Sequence, residues 1–291
     1  MVSRHLFVRS RACVFGLVRL LLLLALASGA AACSATGERL VGWYVTRTLD
    51  DYFDFSSPQK RAARVQVDAT LELLRQTELP HWVSFLREVR QGIHDGMTED
   101  DIARLQRHYD ARLDLGVTLL APRFAPMLVQ LDAAQLEHFT AHMREDVDEQ
   151  YEDLKLPPDE RRAAIEKRAL AAVEKAVGDL SEAQEQTIRG LIRALPNERP
   201  VQYRSARDNI ARFRAFLAQR PDVSKVEAEL HAMWEHRYDA LGPGRDKAAR
   251  RAEQRRWLLA VYRILTPEQR GYAEEQLTDR IKMLKRFVVS G

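Results

Sequence analysis

Two histidines, His138 and His142, stand four residues apart in a stretch whose apolar residues recur at helical spacing. Residues at this spacing project from one face of an α-helix, and Glu145 continues that face. Two imidazoles in such a pair, with a carboxylate nearby, can bind Zn, Cu or Ni. We therefore take these three residues as a candidate metal site. The alternative is a solvated helix face of mixed charge, because the sequence fixes no third ligand.

A second candidate is acidic and lies nearer the N-terminus, where Asp50, Asp51 and Asp54 surround Tyr52 and Phe53. Paired carboxylates can act as acid and base when burial separates their pKa values. The simpler interpretation is a helix end that exposes its acids beside a packed aromatic ring. The same group, Asp50, Asp51 and Tyr52, is also a candidate interaction surface.

A third candidate is basic. Arg250, Arg251 and Arg255 cluster late in the chain, and a second arginine-rich run interleaves with aromatic residues between 203 and 216. Such faces can contact anionic lipid headgroups or acidic partners. The alternative is a solvated helix face paired with neighbouring acids, since Glu253 interrupts the first cluster.

Three common motifs that would indicate an enzyme are absent from the sequence. There is no Gly-rich phosphate loop, no Gly-x-Ser-x-Gly elbow and no His-Glu-x-x-His. We therefore expect no enzymatic activity and no cofactor.

The first 32 residues have the composition of a signal peptide. Four arginines, from Arg4 to Arg19, precede the apolar run Leu20 to Leu26, and small residues then lead to Cys33. The apolar run is too short to cross a bilayer core of about 30 Å. The Ala-Ala-Cys ending predicts that Cys33 is lipidated and becomes the mature N-terminus, with palmitate among its acyl chains. Ordinary cleavage after Ala-x-Ala is the alternative.

Maturation at Cys33 would change the charge of the chain. Loss of the four arginines lowers the formal net charge from +3 to about −1, so we expect no nucleic-acid binding. Cys13 leaves with the signal peptide, which leaves no thiol for disulfides or catalysis. Ser34 lacks the acid associated with inner-membrane retention. We therefore expect an outer-membrane lipoprotein that faces the periplasm, with the membrane and envelope proteins as partners.

The elements that position these residues are expected to be helices throughout. Gly and Pro are scarce, and Ala, Leu, Glu, Arg and Gln are plentiful. We predict an all-α fold, an elongated antiparallel bundle of roughly nine to eleven helices. It forms one helical domain over residues 33–291, with a candidate sub-division near 155–158. The clearest amphipathic helix is Asp132 to Leu154, and Pro122 and Pro126 are expected to break the helix before it.

One short motif recurs where helices are expected to begin. Leu265–Gln269 reads Leu-Thr-Pro-Glu-Gln, and looser copies stand at Phe55–Gln59, Leu131–Gln135 and Leu180–Gln184. The Ser, Thr or Asp oxygen can accept a free main-chain N–H at the helix start, and the Gln can reach back to the cap residue. The motif also resembles the Leu-Thr-x-x-Gln signature of Spy-like and CpxP-like periplasmic stress proteins. That resemblance implies, as the alternative function, a periplasmic chaperone or metal-responsive stress protein.

A stronger resemblance rests on the residues from Leu49 to Phe55, on Ser57-Pro58-Gln59 and on Glu78-Leu79-Pro80. There the chain resembles a family of bacterial helical lipoproteins catalogued as domain of unknown function 6279. The resemblance implies a lipidated, envelope-facing helical protein with no assigned activity.

Overall fold

The computed structural model of the protein describes residues 35–239 and 245–289. All regular structure in these ranges is helical, which confirms the all-α prediction. The α-helices are numbered in chain order as α1 Ala35–Phe53, α2 Ser57–Thr77, α3 Leu79–Asp95, α4 Glu99–Leu128, α5 Ala133–Gln150, α6 Pro158–Val177, α7 Glu182–Arg193, α8 Arg199–Ala218, α9 Val223–Glu235, α10 Lys247–Arg263 and α11 Pro267–Val289. A short 3-10 turn, Glu152–Lys155, joins α5 to α6.

Side-chain caps fix where several helices begin, as the sequence predicts. The side chain of Asp132 accepts the N–H of Gln135 at 2.8 Å, and that of Ser181 accepts the N–H of Gln184 at 3.3 Å. Thr98 does the same at the start of α4. Each bond satisfies a main-chain donor that has no partner inside its helix.

The predicted break at Pro122 and Pro126 is wrong, because α4 continues through both prolines to Leu128. A proline removes one helical hydrogen bond and crowds the preceding turn. Here the neighbouring residues are buried, with Leu120 and Ala125 both fully enclosed. Packing of this turn against the core therefore outweighs the free-energy cost of the two prolines. Helix propensity alone could not predict this outcome, because it does not include tertiary packing.

The buried residues form three clusters. The first core is the largest and joins α1, α2, the C-terminal half of α4, α5, α8 and α9. The second core joins α6, α7, α10 and the start of α11. A third, smaller cluster packs α3 on the C-terminal half of α11. Helices α8 and α9 follow residue 158 but pack in the first core, so a boundary at 155–158 would divide that core. The sub-division stays a prediction.

Within the described ranges, no helix is both long enough and apolar enough to cross a membrane. The signal peptide of residues 1–32 and the lipidation at Cys33 lie outside the described residues, so both stay predictions.

Candidate functional site

The two candidate sites near the N-terminus and on α5 meet in one place. Tyr52 of α1 donates its hydroxyl hydrogen to the carboxylate of Asp146, which is buried on α5. The Tyr52 ring also lies 5.3 Å from the ring of His142, centroid to centroid. His138 contacts the carbonyl oxygen of Asp51 through Nε2 at 3.0 Å. We call these five residues the α1–α5 seam.

The two imidazoles of the seam make different contacts. Because a carbonyl oxygen only accepts, Nε2 of His138 carries the hydrogen in this contact. His142 instead packs between two rings, since it lies 5.1 Å from His138 as well as against Tyr52. Both histidines are therefore half-buried between helices. Both imidazoles thus keep part of their surface in solvent, and Glu145 is exposed.

Sequence reasoning missed Asp146 as a member of this group. The signal was present, because His138, His142 and Asp146 follow one another at four-residue spacing and so share a face. Across residues 35–239 and 245–289, no group of three His, Cys, Asp or Glu side chains is arranged to hold a metal ion. In this part of the chain the candidate metal site therefore has no third ligand.

Asp50 has a structural role at the turn between α1 and α2. Its carboxylate accepts the N–H of Phe55 at 3.1 Å and pairs with Lys60 at 2.9 Å. The turn places Asp54 at a φ of 45°, a left-handed conformation that Asp adopts more readily than most residues. Asp51 and Asp54 are both exposed, so these two members of the acidic candidate face solvent.

The arginines of the basic candidate lie against acidic or polar side chains from other parts of the fold. Arg251 makes a two-point ion pair with Asp110 of α4. Arg250 lies 3.3 Å from the Glu198 carboxylate, and Arg255 donates to the Gln106 side chain at 3.3 Å. Neighbouring side chains therefore compensate much of this charge, as the alternative of a paired helix face describes.

The glutamines of the recurring motif meet in pairs. In the first junction, Gln59 and Gln135 exchange hydrogen bonds through their side-chain amides, at 2.8 and 3.2 Å. Gln135 also donates to the carbonyl of Asp54 at 2.9 Å, and Gln59 donates to the carbonyl of Gln130 at 3.3 Å. Each glutamine therefore binds the main chain two residues before the other's cap residue.

The second junction repeats this arrangement at α7 and α11. Gln184 and Gln269 exchange hydrogen bonds at 2.7 and 3.1 Å. Gln184 donates to the carbonyl of Ile264 at 2.7 Å, and Gln269 donates to that of Asp179 at 2.6 Å. These carbonyls again stand two residues before the partner's cap, Thr266 or Ser181.

The pairs connect motif copies that are far apart along the chain, 76 residues in the first junction and 85 in the second. Each glutamine caps its own helix start and holds a second one beside it. The motif thus has an architectural explanation in all four copies. The chaperone or stress-protein function stays a prediction.

Two further carboxylates that the sequence did not single out are buried, and both are paired with arginines. Asp153 contacts Arg168 at 3.0 Å and Arg199 at 2.5 Å. Burial opposes its ionisation, but the two guanidinium groups outweigh that effect and lower its pKa. Glu166 pairs with Arg193 at 2.8 Å, and this hydrogen bond lowers the pKa of Glu166. Both groups hold helices together as charged pairs.

A small apolar cavity lies between α1, α2 and α4, lined by side chains that include Leu49, Leu74 and Phe124. Its volume of about 20 Å³ is enough for roughly one water molecule. This cavity therefore cannot enclose a substrate.

A family model matches the central part of the chain. The model of a family described as "Family of unknown function (DUF6279)" matches residues 51–241, which is more than half of the chain. No curated protein and no solved structure matches it. The matched range contains the whole α1–α5 seam and the first junction, but of the second junction it contains only the α7 side.

Proposed function

This chain belongs to the DUF6279 family of unknown function, and we propose that it is a non-enzymatic, lipid-anchored protein of the outer membrane that faces the periplasm. It acts by binding, through the surface of its helical body. Its partners are the membrane, which it contacts through the N-terminal lipid, and other envelope proteins.

One observation supports the proposal that the protein is not an enzyme. The chemically capable side chains that the sequence singles out are engaged in contacts between helices. Tyr52 is bound to Asp146, His138 to the main chain of α1, and Arg251 to Asp110. Groups held in this way connect helices, whereas catalytic groups must also reach a substrate.

The order of residues at the N-terminus supports the anchor. The basic and apolar segments precede Cys33, and α1 begins at Ala35, only two residues later. A lipid on Cys33 would therefore attach the helical body directly to the membrane.

The anchor is tested by growing cells that make the full-length chain in radiolabelled palmitate. We expect the protein to be labelled, and we expect Cys33→Ala to abolish the label because the acylated residue is gone. Cys13→Ala is the matched control and should retain the label, since Cys13 leaves with the signal peptide. An unlabelled wild-type protein would contradict the proposal. Hydrolytic activity of the purified chain would contradict its non-enzymatic part.

A further inference from the structure

The most exposed large apolar side chain in the described ranges belongs to Val65 of α2, at 71% exposure. At 100° per residue, four further apolar residues lie on the same side of the helix: Pro58, Ala62, Ala69 and Leu73. All are exposed except Leu73, which is half-buried. No charged residue lies within this row, which runs over about four helical turns. We call these five residues the α2 ridge.

One flank of the α2 ridge is charged, and the sign of its charge changes along the helix. Arg61 stands near the N-terminal end of this flank, whereas Asp68 and Glu72 stand towards its C-terminal end. Asp68 already pairs with Arg64 and Glu72 with Arg75, but both carboxylates are about half exposed. Arg61 is exposed and takes part in no ion pair with the part of the chain that the structure describes. Its guanidinium group is therefore available to an acid outside the chain.

An ion pair within the chain does not prevent Glu72 from binding a second cation. A carboxylate has about four acceptor positions, so two guanidinium groups can share it. Asp153 of this chain does so, because it pairs with Arg168 and Arg199 together. The side chain of Glu72 is 48% exposed, so a second arginine can reach it from solvent.

The charge order on this flank is complementary to itself when two copies of α2 lie antiparallel. A two-fold axis across the α2 ridge places the charged flank of one copy beside the charged flank of the other. With the axis midway between Arg61 and Glu72, each Arg61 faces Glu72 of the other copy, and Val65 faces its Ala69. A parallel arrangement would instead place the charged flank against the opposite, uncharged flank. The charges therefore select the antiparallel arrangement.

We propose that the α2 ridge binds a second copy of this chain, with the two α2 helices antiparallel across a two-fold axis. This inference goes beyond the proposed function and does not depend on the lipid anchor. Since α2 has 21 residues, its outer face measures about 31 Å by 10–15 Å, or about 300–450 Å² in each copy. This area is typical of a weak, transient contact, so we expect a Kd of about 100 μM.

Charge reversal tests the antiparallel pairing. Sedimentation equilibrium of the full-length chain, as cells process it, measures its mass from about 10 to 300 μM in a detergent matched to the solvent density. We expect the mass to rise from one chain towards two. Arg61→Glu and Glu72→Arg should each raise the Kd about tenfold, because each then places like charges at both crossings. An equimolar mixture of the two variants should associate as well as the wild type, because every crossing then joins opposite charges.

A substitution on the ridge itself tests the apolar part of the contact. Val65→Arg should abolish association over this concentration range, because it places a charge and a long side chain against Ala69 of the other copy. Val223→Arg is the matched control, since Val223 is 38% exposed on α9, and it should associate like the wild type. Ala62→Arg replaces Val65→Arg if that variant loses helical circular dichroism.

Three results would overturn the proposal. The first is a wild-type chain that stays monomeric over the whole range. The second is a mixture of Arg61→Glu and Glu72→Arg that associates no better than either variant alone. The third is a Val65→Arg variant that associates as well as Val223→Arg.

Discussion

The two glutamine junctions share one hydrogen-bond pattern but differ in what surrounds them. At the first junction, Phe53 stacks on Phe55 and on Phe139, with ring centres 5.3 and 4.9 Å apart, and Gln59 is only half-buried. At the second junction, Gln184 and Gln269 are both buried, 8% and 9% exposed, beside a smaller apolar cluster. The glutamine pair is therefore more deeply buried at the second junction, where the surrounding apolar cluster is smaller.

The neighbourhood of the second junction shows the same reliance on polar contacts. Glu166 of α6, 3% exposed, pairs with Arg193 of α7. Buried charges are costly without partners, so each such pair stabilises the fold only while it is complete. Helices α6 and α7 of the second core are thus joined by a buried ion pair, whereas the first core combines more extensive aromatic and aliphatic packing with buried polar groups such as Asp146 and Gln135.

The largest expected difference follows from removing one glutamine at each junction. Gln269→Ala removes the partner of the buried Gln184 amide and the hydrogen bonds to main-chain groups of Asp179 and Thr266, so we expect the free energy of unfolding to fall by about 2–3 kcal/mol. Gln59→Ala should cost about 1 kcal/mol, because Gln59 is half-buried and water can reach its partners on the exposed residues Ser56 and Gln130. Urea unfolding followed by circular dichroism measures both.

Gln219→Ala is the control for these two variants. Gln219 is exposed at the end of α8, so its loss should change the free energy of unfolding by less than about 0.5 kcal/mol. Equal losses for Gln59→Ala and Gln269→Ala would show that the burial difference between the junctions has no energetic consequence.

A smaller difference is expected in acid. The pKa values of Asp153 and Glu166 are lowered in the folded chain, so their stabilisation is present above the unfolded values of about 4. It is lost as the pH falls through the lower folded values. We expect the urea midpoint to decrease below about pH 4, and Glu166→Gln to weaken that dependence.

The control for this experiment is a surface carboxylate on a helix of the first core. Glu137 of α5 pairs with Arg214 in an exposed position. Glu137→Gln should leave the acid dependence nearly unchanged, because exposed pairs contribute little. If Glu137→Gln weakened the acid dependence as much as Glu166→Gln, the ion pairs near the second core would have no special role.

The local structure of this protein is largely predictable from its sequence. Cap residues such as Thr98, Asp132 and Ser181 indicate helix starts because capping involves only neighbouring residues. The continuation of α4 through Pro122 is not predictable in this way, since it depends on burial by distant helices. The same limit applies to the functional candidates. Spacing placed His138 and His142 on one face, but only the fold shows Tyr52 packed against that face.

The pairing of the glutamines is the other feature that spacing could not reveal. The four motif copies are visible in the sequence, but nothing local selects Gln135 as the partner of Gln59, or Gln269 as the partner of Gln184. That choice follows from long-range packing. The pairing also provides an architectural interpretation of the motif, because each glutamine holds two helix starts together without an external partner.

The central claim is that the motif glutamines work as pairs, and a double-mutant cycle at the second junction tests it most directly. The free energy of unfolding is measured for the wild type, Gln184→Ala, Gln269→Ala and the double variant. Paired action predicts that the double variant loses less than the sum of the single losses, by about 1 kcal/mol or more. Losses that add to within about 0.5 kcal/mol would contradict the claim.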